Sequence, residues 1–129
     1  MAAHARTSIM VVDDDRHLLT TITDFLRFEG FEVMSAGDGM KALLLLKTAR
    51  PDVILLDVMM PGMDGGEVAQ AIRAIPALEH TPIIFTTAVV SKAEERTHGG
   101  EIGGEMFLAK PFKFEELTSR IRDVLARTP

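Results

Sequence analysis

The chain has no cysteine, tryptophan or tyrosine among its 129 residues. Without cysteine it forms no disulfides or thiolate metal sites, which fits a reducing compartment and predicts a cytoplasmic protein. Without tryptophan and tyrosine it lacks the usual aromatic platform on which single-strand binders stack bases. The net charge of −5 also argues against direct nucleic-acid binding, because contacts to phosphates need lysine and arginine.

Long apolar stretches are absent as well. No run reaches the ~18 residues that a membrane span needs, and Met1 to Ser8 lack the apolar region of a secretory signal. We therefore expect no association with membranes. The hydrophobic residues nevertheless make up 47% of the chain, which is enough for the core of one compact domain covering residues 1–129.

Short apolar runs alternate with amphipathic stretches, a pattern typical of βαβ units and a parallel sheet. Predicted strands are Ser8–Val12, Glu32–Ala36, Val53–Leu56, Ile83–Thr87 and Met106–Ala109. Predicted helices are Asp15–Glu29, Gly39–Ala49, Gly65–Ala74, Lys92–His98 and Phe114–Arg127. Capping patterns support two of the helix starts, at Asp64 with Glu67 and at Ser91 with Glu94. The sequence therefore predicts an α/β fold, an open doubly wound sheet with helices on both faces.

Polar side chains lie at the ends of four of the five predicted strands. Asp13 and Asp14 follow the first strand, Asp57 the third, Thr87 closes the fourth, and Lys110 follows the fifth. In an open parallel sheet, ligands bind beyond the carboxyl ends of the strands. The sequence thus predicts one site that contains carboxylates, a hydroxyl and an amine.

Phosphoryl transfer is a chemistry that this set of groups can perform. Asp57 can act as a nucleophile, because carboxylates form aspartyl-phosphate intermediates. Adjacent carboxylates repel one another without a cation, and their hard oxygens suit Mg²⁺ or Mn²⁺. Lys110 and Thr87 can contact phosphate oxygens, and the small Ala88 lets its backbone N–H approach. Each group also has an ordinary structural explanation: one aspartate caps the first helix, Thr87 is a β-branched strand residue, and Lys110 is solvated.

The ordered set of motifs resembles the receiver domain of two-component response regulators over essentially the whole chain. The matching segments are Val11-Val12-Asp13-Asp14-Asp15, Pro51-Asp52-Val53-Ile54-Leu55-Leu56-Asp57, Met60-Pro61-Gly62-Met63-Asp64-Gly65, Thr87-Ala88 and Lys110-Pro111-Phe112. The resemblance implies a flavodoxin-like (βα)5 sandwich whose five parallel strands lie in the order 2-1-3-4-5. It implies that Asp57 accepts phosphate from a sensor histidine kinase or a histidine phosphotransfer protein.

The resemblance also assigns roles around Asp57. It implies that Asp14 and Asp57 bind Mg²⁺ directly, that the backbone carbonyl of Met59 completes the protein ligands, and that Asp13 acts largely through water. Thr87 and Lys110 would contact the phosphoryl group. Such a domain is a phosphoacceptor rather than an enzyme, with at most slow loss of its own phosphate.

A switch follows from the same resemblance. Phe107 occupies the position of an aromatic residue that swings inward together with Thr87. Many relatives have tyrosine there, and phenylalanine lacks the hydroxyl for an outward hydrogen bond, so we expect Phe107 to prefer the buried conformer. The signalling surface would be the fourth helix, fifth strand and fifth helix, through which an output partner is controlled and phosphorylated homodimers can form.

Three other functions compete with this interpretation. A haloacid-dehalogenase-type phosphatase requires a second aspartate two residues after the nucleophile, where this chain has Met59. A flavodoxin-like nucleotide or flavin binder needs a phosphate loop after the first strand, where this chain has three aspartates. A receiver-like interaction module that works without phosphorylation is the third alternative.

Overall fold

Six β-strands form one sheet in the computed structural model, which describes residues 6–88, 101–102 and 105–127. The strands are β1 (Ser8–Val12), β2 (Glu32–Ala36), β3 (Val53–Asp57), β4 (Ile83–Thr87), β5 (Glu101–Ile102) and β6 (Glu105–Ala109). Their order in the sheet is β2-β1-β3-β4-β6-β5. All pairings except β5–β6 are parallel, so the predicted five parallel strands and their 2-1-3-4-5 order are confirmed, with β6 as the fifth.

Strand β5 was not predicted. It pairs antiparallel with β6, and its Glu101 and Ile102 lie opposite Met106 and Glu105. The glycines of the segment 98–104 weaken a helix and predict a short or frayed fourth helix, which stays a prediction. At 101–102 the backbone extends the sheet by one short edge strand. The predicted helix at 92–98 and its capping pair at 91 and 94 lie outside the described residues.

The described helices are α1 (Arg16–Phe28), α2 (Gly39–Leu45), α3 (Gly65–Arg73), a 3₁₀ helix (Pro76–Leu78) and the C-terminal helix (Phe114–Arg127). Helix α2 is shorter than predicted, since Leu46 is its C-cap. The Arg50 guanidinium donates to the backbone carbonyls of Leu46 and Ala49, which satisfies acceptors that the helix end leaves free. None of the described helices combines the length and apolar character needed to cross a lipid bilayer.

Aspartates cap the first three helices, and this assignment matters for the site. The Asp15 carboxylate accepts from the Leu18 N–H at 3.0 Å, so Asp15 is the residue of the acidic run that caps α1. Asp13 and Asp14 are therefore not needed as caps. At α3 the predicted capping box is confirmed, with reciprocal bonds between Asp64 and Glu67 of 2.9 and 3.1 Å.

Both faces of the sheet are buried, which explains why its strands have continuous apolar runs. On one face α2 and α3 cover a cluster that includes Met10, Val12, Ile54, Leu56, Val68, Ile72 and Phe85. On the other face α1 and the C-terminal helix cover Ile9, Val11, Leu55, Ile22, Leu26, Leu117 and Ile121. The rings of Phe25 and Phe114 stack at 4.2 Å and join these two helices. This arrangement is the doubly wound architecture that the sequence predicted.

Candidate functional site

The polar residues predicted to converge do lie together at the carboxyl edge of the sheet. Asp13 directly follows β1, Asp57 and Thr87 are the last residues of β3 and β4, and Lys110 directly follows β6. Neighbouring strands pair as β1–β3, β3–β4 and β4–β6. Parallel pairing of consecutive strands therefore brings side chains from four distant parts of the chain to one place.

Three carboxylates form the acidic part of this site. One oxygen from each of Asp13, Asp14 and Asp57 lies within 4.8 Å of the others. Asp13 and Asp57 are only 2% and 4% exposed, whereas Asp14 is exposed. Oδ1 of Asp13 accepts from the backbone N–H of Asp15 at 2.9 Å, which fixes the orientation of that carboxylate.

Lys110 is the cationic part of the site. Its Nζ donates to Oδ2 of Asp13 at 2.9 Å and lies 3.5 Å from Oδ1 of Asp57. Its backbone N–H donates to the carbonyl of Thr87 at 2.8 Å, and the following peptide bond to Pro111 is cis. Burial by itself would lower the pKa of Lys110, but the hydrogen bond and charge of Asp13 and the charge of Asp57 raise it above its ordinary value. Lys110 is therefore firmly protonated.

Asp57 is the carboxyl whose titration is most altered. Burial is the largest cause, and with the negative charge of Asp13 it raises the pKa of Asp57 from 3.8 to about 6. The charge of Lys110 and the backbone N–H of Met59, which donates to Oδ1 at 3.2 Å, act in the opposite direction. Loss of contact with water is thus the main reason that the charged form of Asp57 is disfavoured, and the charge of Lys110 offsets this only in part.

These residues fit a divalent cation. Three carboxylates lie around one ammonium group, so a divalent cation would balance the remaining negative charge of this cluster. The available donors are hard oxygens, the ligands that Mg²⁺ and Mn²⁺ prefer. The structure therefore contains a cluster that could hold a metal ion, in agreement with the prediction. The role of the Met59 carbonyl stays a prediction.

The remaining predicted residues surround this cluster. Thr87 is buried and Ala88, directly after it, is exposed. Phe107 is half-buried and lies on the α2–α3 side of the sheet. Its ring stacks on Phe85 with centroids 5.4 Å apart and an angle of 29° between the planes. The preference of Phe107 for a buried conformer is compatible with this contact but stays a prediction.

Two residues with a part in the site were missed by sequence reasoning. Phe85 supports Phe107, but as an apolar residue within a strand it gave no separate signal. Gly65 is the second: a Cβ there would lie 2.7 Å from the carbonyl oxygen of Asp57 and 2.8 Å from Cα of Val58. The close approach of α3 to the end of β3 therefore requires glycine at this position. The adjacent pair Gly65-Gly66 at a helix start was the available signal.

Comparison with known proteins identifies the family to which this fold and this site belong. Residues 9–122 match the family described as the response regulator receiver domain. The response regulator MprA of Mycobacterium sp. (strain KMS) is 43% identical over 120 residues, which cover 93% of this chain and 51% of that protein. The chain thus spans about half the length of the curated relatives it matches.

Solved structures show the same similarity. The chemotaxis protein CheY4 of Vibrio cholerae, crystallised at pH 4.0, superposes with a TM-score of 0.81 at 33% identity, covering 93% of this chain and 99% of that one. The receiver domain of the Francisella response regulator 1452 has a TM-score of 0.78 at 30% identity, covering 96% and 100% of the two chains. The chain therefore belongs to the response regulator receiver domains of two-component systems.

Proposed function

We propose that Asp57 accepts a phosphoryl group from a phosphohistidine of a sensor histidine kinase or a histidine phosphotransfer protein. The observation that carries this proposal is the buried Asp57 carboxylate at the end of β3, within 3.5 Å of the Lys110 ammonium and beside two further carboxylates. An Asp57 oxygen forms the new bond to phosphorus while the bond from phosphorus to the histidine nitrogen breaks. The histidine nitrogen keeps the bonding electrons and, because the other ring nitrogen carries a proton, the side chain leaves as neutral imidazole.

Asp57 must be ionised to act as the nucleophile. With a pKa of about 6, most of the metal-free population carries the carboxylate at neutral pH. A nearby cation lowers the pKa of a carboxyl further, because it favours the charged form. The site is thus ready for nucleophilic attack under the conditions of the cytoplasm, where we place this protein.

Asp13, Asp14 and Asp57 would hold the Mg²⁺ or Mn²⁺ ion, with the backbone carbonyl of Met59 as a further ligand. When bound, the ion neutralises negative charge on the carboxylates and on the phosphoryl oxygens. Support for this assignment comes from the approach of one oxygen of each carboxylate to within 4.8 Å of the others.

Lys110 and Thr87 would bind the transferred group. The Lys110 ammonium already bridges Asp13 and Asp57, so a small movement suffices to reach a phosphoryl oxygen attached to Asp57. Phosphorylation adds a charge of about −1.5 to −2, which attracts the Lys110 ammonium and the Thr87 hydroxyl. The backbone N–H of Ala88, next in the chain, would donate to the same group.

A groove beside the site suits the phosphate donor. It is lined by Leu18 of α1, Ala88, and the segment Lys110-Pro111-Phe112. These are apolar surfaces around the exposed edge of the phosphoacceptor site, and a donor helix packed there would bring its histidine towards Asp57. This arrangement supports a protein, rather than a free nucleotide, as the physiological donor.

The output would depend on Thr87 and Phe107. Movement of Thr87 towards the phosphoryl group opens space that the Phe107 ring can fill, and this alters the surface formed by the predicted fourth helix, β6 and the C-terminal helix. That surface would control an output partner or domain and can support a homodimer of the phosphorylated form. We infer that the chain is not itself an enzyme, apart from slow loss of its own phosphate.

Phosphorylation by acetyl phosphate with Mg²⁺, read by intact mass, tests the proposal. Wild type should gain the mass of one phosphoryl group, Asp57→Asn should gain none, and chelation of the metal should suppress labelling. Asp52→Asn is the matched control, because Asp52 is also an aspartate but is exposed and lies directly before the first residue of β3, at the opposite end from Asp57. Labelling of Asp57→Asn would refute the assignment of Asp57. An unlabelled wild type would favour the interaction module that works without phosphorylation.

The lifetime of the phosphoryl group tests the role of the surrounding side chains. Met59 lies two residues beyond Asp57 and is 63% exposed, and its apolar side chain cannot orient an attacking water. We expect slow decay in wild type and faster decay in Met59→Asn, measured by loss of the labelled mass. Met40→Asn, which replaces an equally exposed methionine on α2, should decay at the wild-type rate. Decay of wild type within seconds would contradict the expectation.

A further inference from the structure

Helix α2 exposes an unusual amount of apolar surface. Met40 is 69% exposed, Leu44 62% and Leu45 39%, and these are three of the five large exposed hydrophobic side chains in the described part of the chain. The four consecutive leucines at 43–46 span more than one helix face and predict that at least one faces outward. The resemblance to receiver domains points to Leu44, and its exposure confirms this. Met40 and Leu44 are four residues apart and therefore neighbours on one helix face. The opposite face of the helix buries Ala42 and Leu46 in the core.

This apolar face is bordered by positive charge. Lys41 is exposed in the first turn of α2, and Lys47 is exposed two residues beyond the end of the helix. The segment 39–51 contains no acidic residue, although the chain as a whole has a net charge of −5. Met40, Lys41, Leu44, Leu45 and Lys47 are called the α2 surface below. Its combination of apolar and basic side chains is contrary to the acidic character of the protein.

The α2 surface rests on a rigid scaffold. At its start the Asp38 carboxylate accepts from the Lys41 N–H at 2.8 Å, and at its end Arg50 donates to the Leu46 carbonyl at 2.6 Å. Gly39 packs closely on α3, since a Cβ there would lie 2.5 Å from a methyl carbon of Val68. A preformed surface loses little conformational freedom on binding, so these side chains are presented ready for a partner.

We propose that the α2 surface binds an amphipathic helix of a partner protein, with an apolar stripe flanked by glutamate or aspartate. Apolar side chains at i, i+3 and i+4 on such a helix would cover Met40, Leu44 and Leu45. Its acidic flanks would face Lys41 and Lys47, and this charge complementarity would fix the orientation of the helix and accelerate association.

Charge favours this occupant over two others. A second copy of the chain that used the same surface would bring Lys41 and Lys47 against their own counterparts, because a two-fold interface is self-complementary. An anionic membrane is a broad surface that would meet the acidic remainder of a domain with net charge −5 as well as the two lysines, whereas a single helix can be confined to the α2 surface. An acidic helix provides apolar contact and opposite charge together.

The interaction is independent of phosphate transfer at Asp57. No residue of the α2 surface belongs to the phosphoacceptor site, so Asp57→Asn should bind the partner helix as wild type does. Failure of the phosphorylation experiment would therefore leave this inference intact. Absence of helix binding would likewise leave the proposed phosphorylation of Asp57 intact.

Titration of the isotope-labelled chain with a synthetic stapled helix tests the inference by NMR. The probe carries leucines at i, i+4 and i+7 between two rows of glutamate, and a second peptide has lysine in place of every glutamate. We expect amide shifts centred on residues 39–48 with the glutamate peptide. Leu44→Glu and Lys41→Glu should each weaken binding by about tenfold or more. Phe28→Ser is the matched control, because Phe28 is 87% exposed but lies on α1, and it should leave binding unchanged.

Several outcomes would overturn the inference. Equal binding of the lysine peptide, shifts centred elsewhere, or full binding by folded Leu44→Glu would each exclude an acidic helix on this surface. Two further measurements address the other occupants. Dimerisation in sedimentation experiments that Leu44→Glu abolishes would assign the surface to a second copy. Binding to phosphatidylglycerol vesicles that requires Lys41 and Leu44 would assign it to a membrane.

Discussion

Replacing Asp57 with asparagine should stabilise the metal-free protein. Burial and the charge of Asp13 raise the pKa of Asp57 to about 6 in the folded state, from 3.8. The folded state therefore binds more protons than the unfolded state between these two pH values. Stability falls as pH rises through this window, and the full penalty of the ionised carboxylate is present above the folded pKa.

The size of the effect follows from the same numbers. At about 1.4 kcal/mol per pKa unit, the penalty has an upper limit of about 3 kcal/mol. Residual solvent screening and the partly compensating charge of Lys110 reduce this penalty. We therefore expect the free energy of unfolding of Asp57→Asn to exceed that of wild type by about 1–2 kcal/mol at pH 8. For a domain of this size, that gain corresponds to a rise in the melting temperature of about 4–8 °C.

Urea denaturation in EDTA at pH 4 and pH 8 provides the assay. The higher stability of Asp57→Asn should be present at pH 8 and nearly absent at pH 4, where Asp57 is protonated in a large part of the folded wild-type molecules. Asp123→Asn, which removes an exposed carboxylate from the C-terminal helix, should change stability by less than about 0.5 kcal/mol at both pH values. Equal or lower stability of Asp57→Asn at pH 8, or a gain independent of pH, would refute the electrostatic argument.

Three further predictions concern single side chains. The buried hydroxyl of Thr23 has no hydrogen-bond partner among the described residues, so Thr23→Val should raise the free energy of unfolding by about 1 kcal/mol. A loss of stability in urea denaturation would show that the hydroxyl is satisfied. Gly65→Ala should lower the free energy of unfolding by about 1–3 kcal/mol and slow labelling by acetyl phosphate, because the new Cβ would lie 2.7 Å from the carbonyl oxygen of Asp57. Unchanged stability and an unchanged labelling rate would contradict this close approach. Without phosphate Phe107 should already favour the buried conformer, stacked on Phe85, and a beryllofluoride mimic should move its ring further inward together with Thr87. Crystal structures with and without the mimic that show one shared rotamer would exclude a switch at Phe107.

Local patterns in the sequence specified most of the secondary structure. The capping box of Asp64 and Glu67, the apolar run before Asp57, and the 3.6-residue periodicity of the C-terminal helix each depend on residues close in the chain. Such signals are readable without tertiary contacts. The end of α2 was misplaced because leucine and alanine favour a helix beyond the point where Leu46 terminates it.

The sequence also predicted which polar residues would lie together at the carboxyl edge of the sheet, through the order in which chemical groups follow the apolar runs. What the sequence left open was the assignment of individual aspartates. The hydrogen bond from the Leu18 N–H to Asp15 decides which aspartate caps α1. It thereby leaves Asp13 and Asp14 to the acidic cluster with Asp57.

The sequence by itself thus determined the class of fold, the phosphoacceptor candidate and the residues that accompany it, because periodicity, caps and strand-end chemistry are local properties. Only the tertiary structure decided that Lys110 bridges Asp13 and Asp57, that the pKa of Asp57 rises, and that Phe107 rests on Phe85. These features depend on distances and burial among residues far apart in the chain. Strand pairing sets those distances, and no local pattern encodes them.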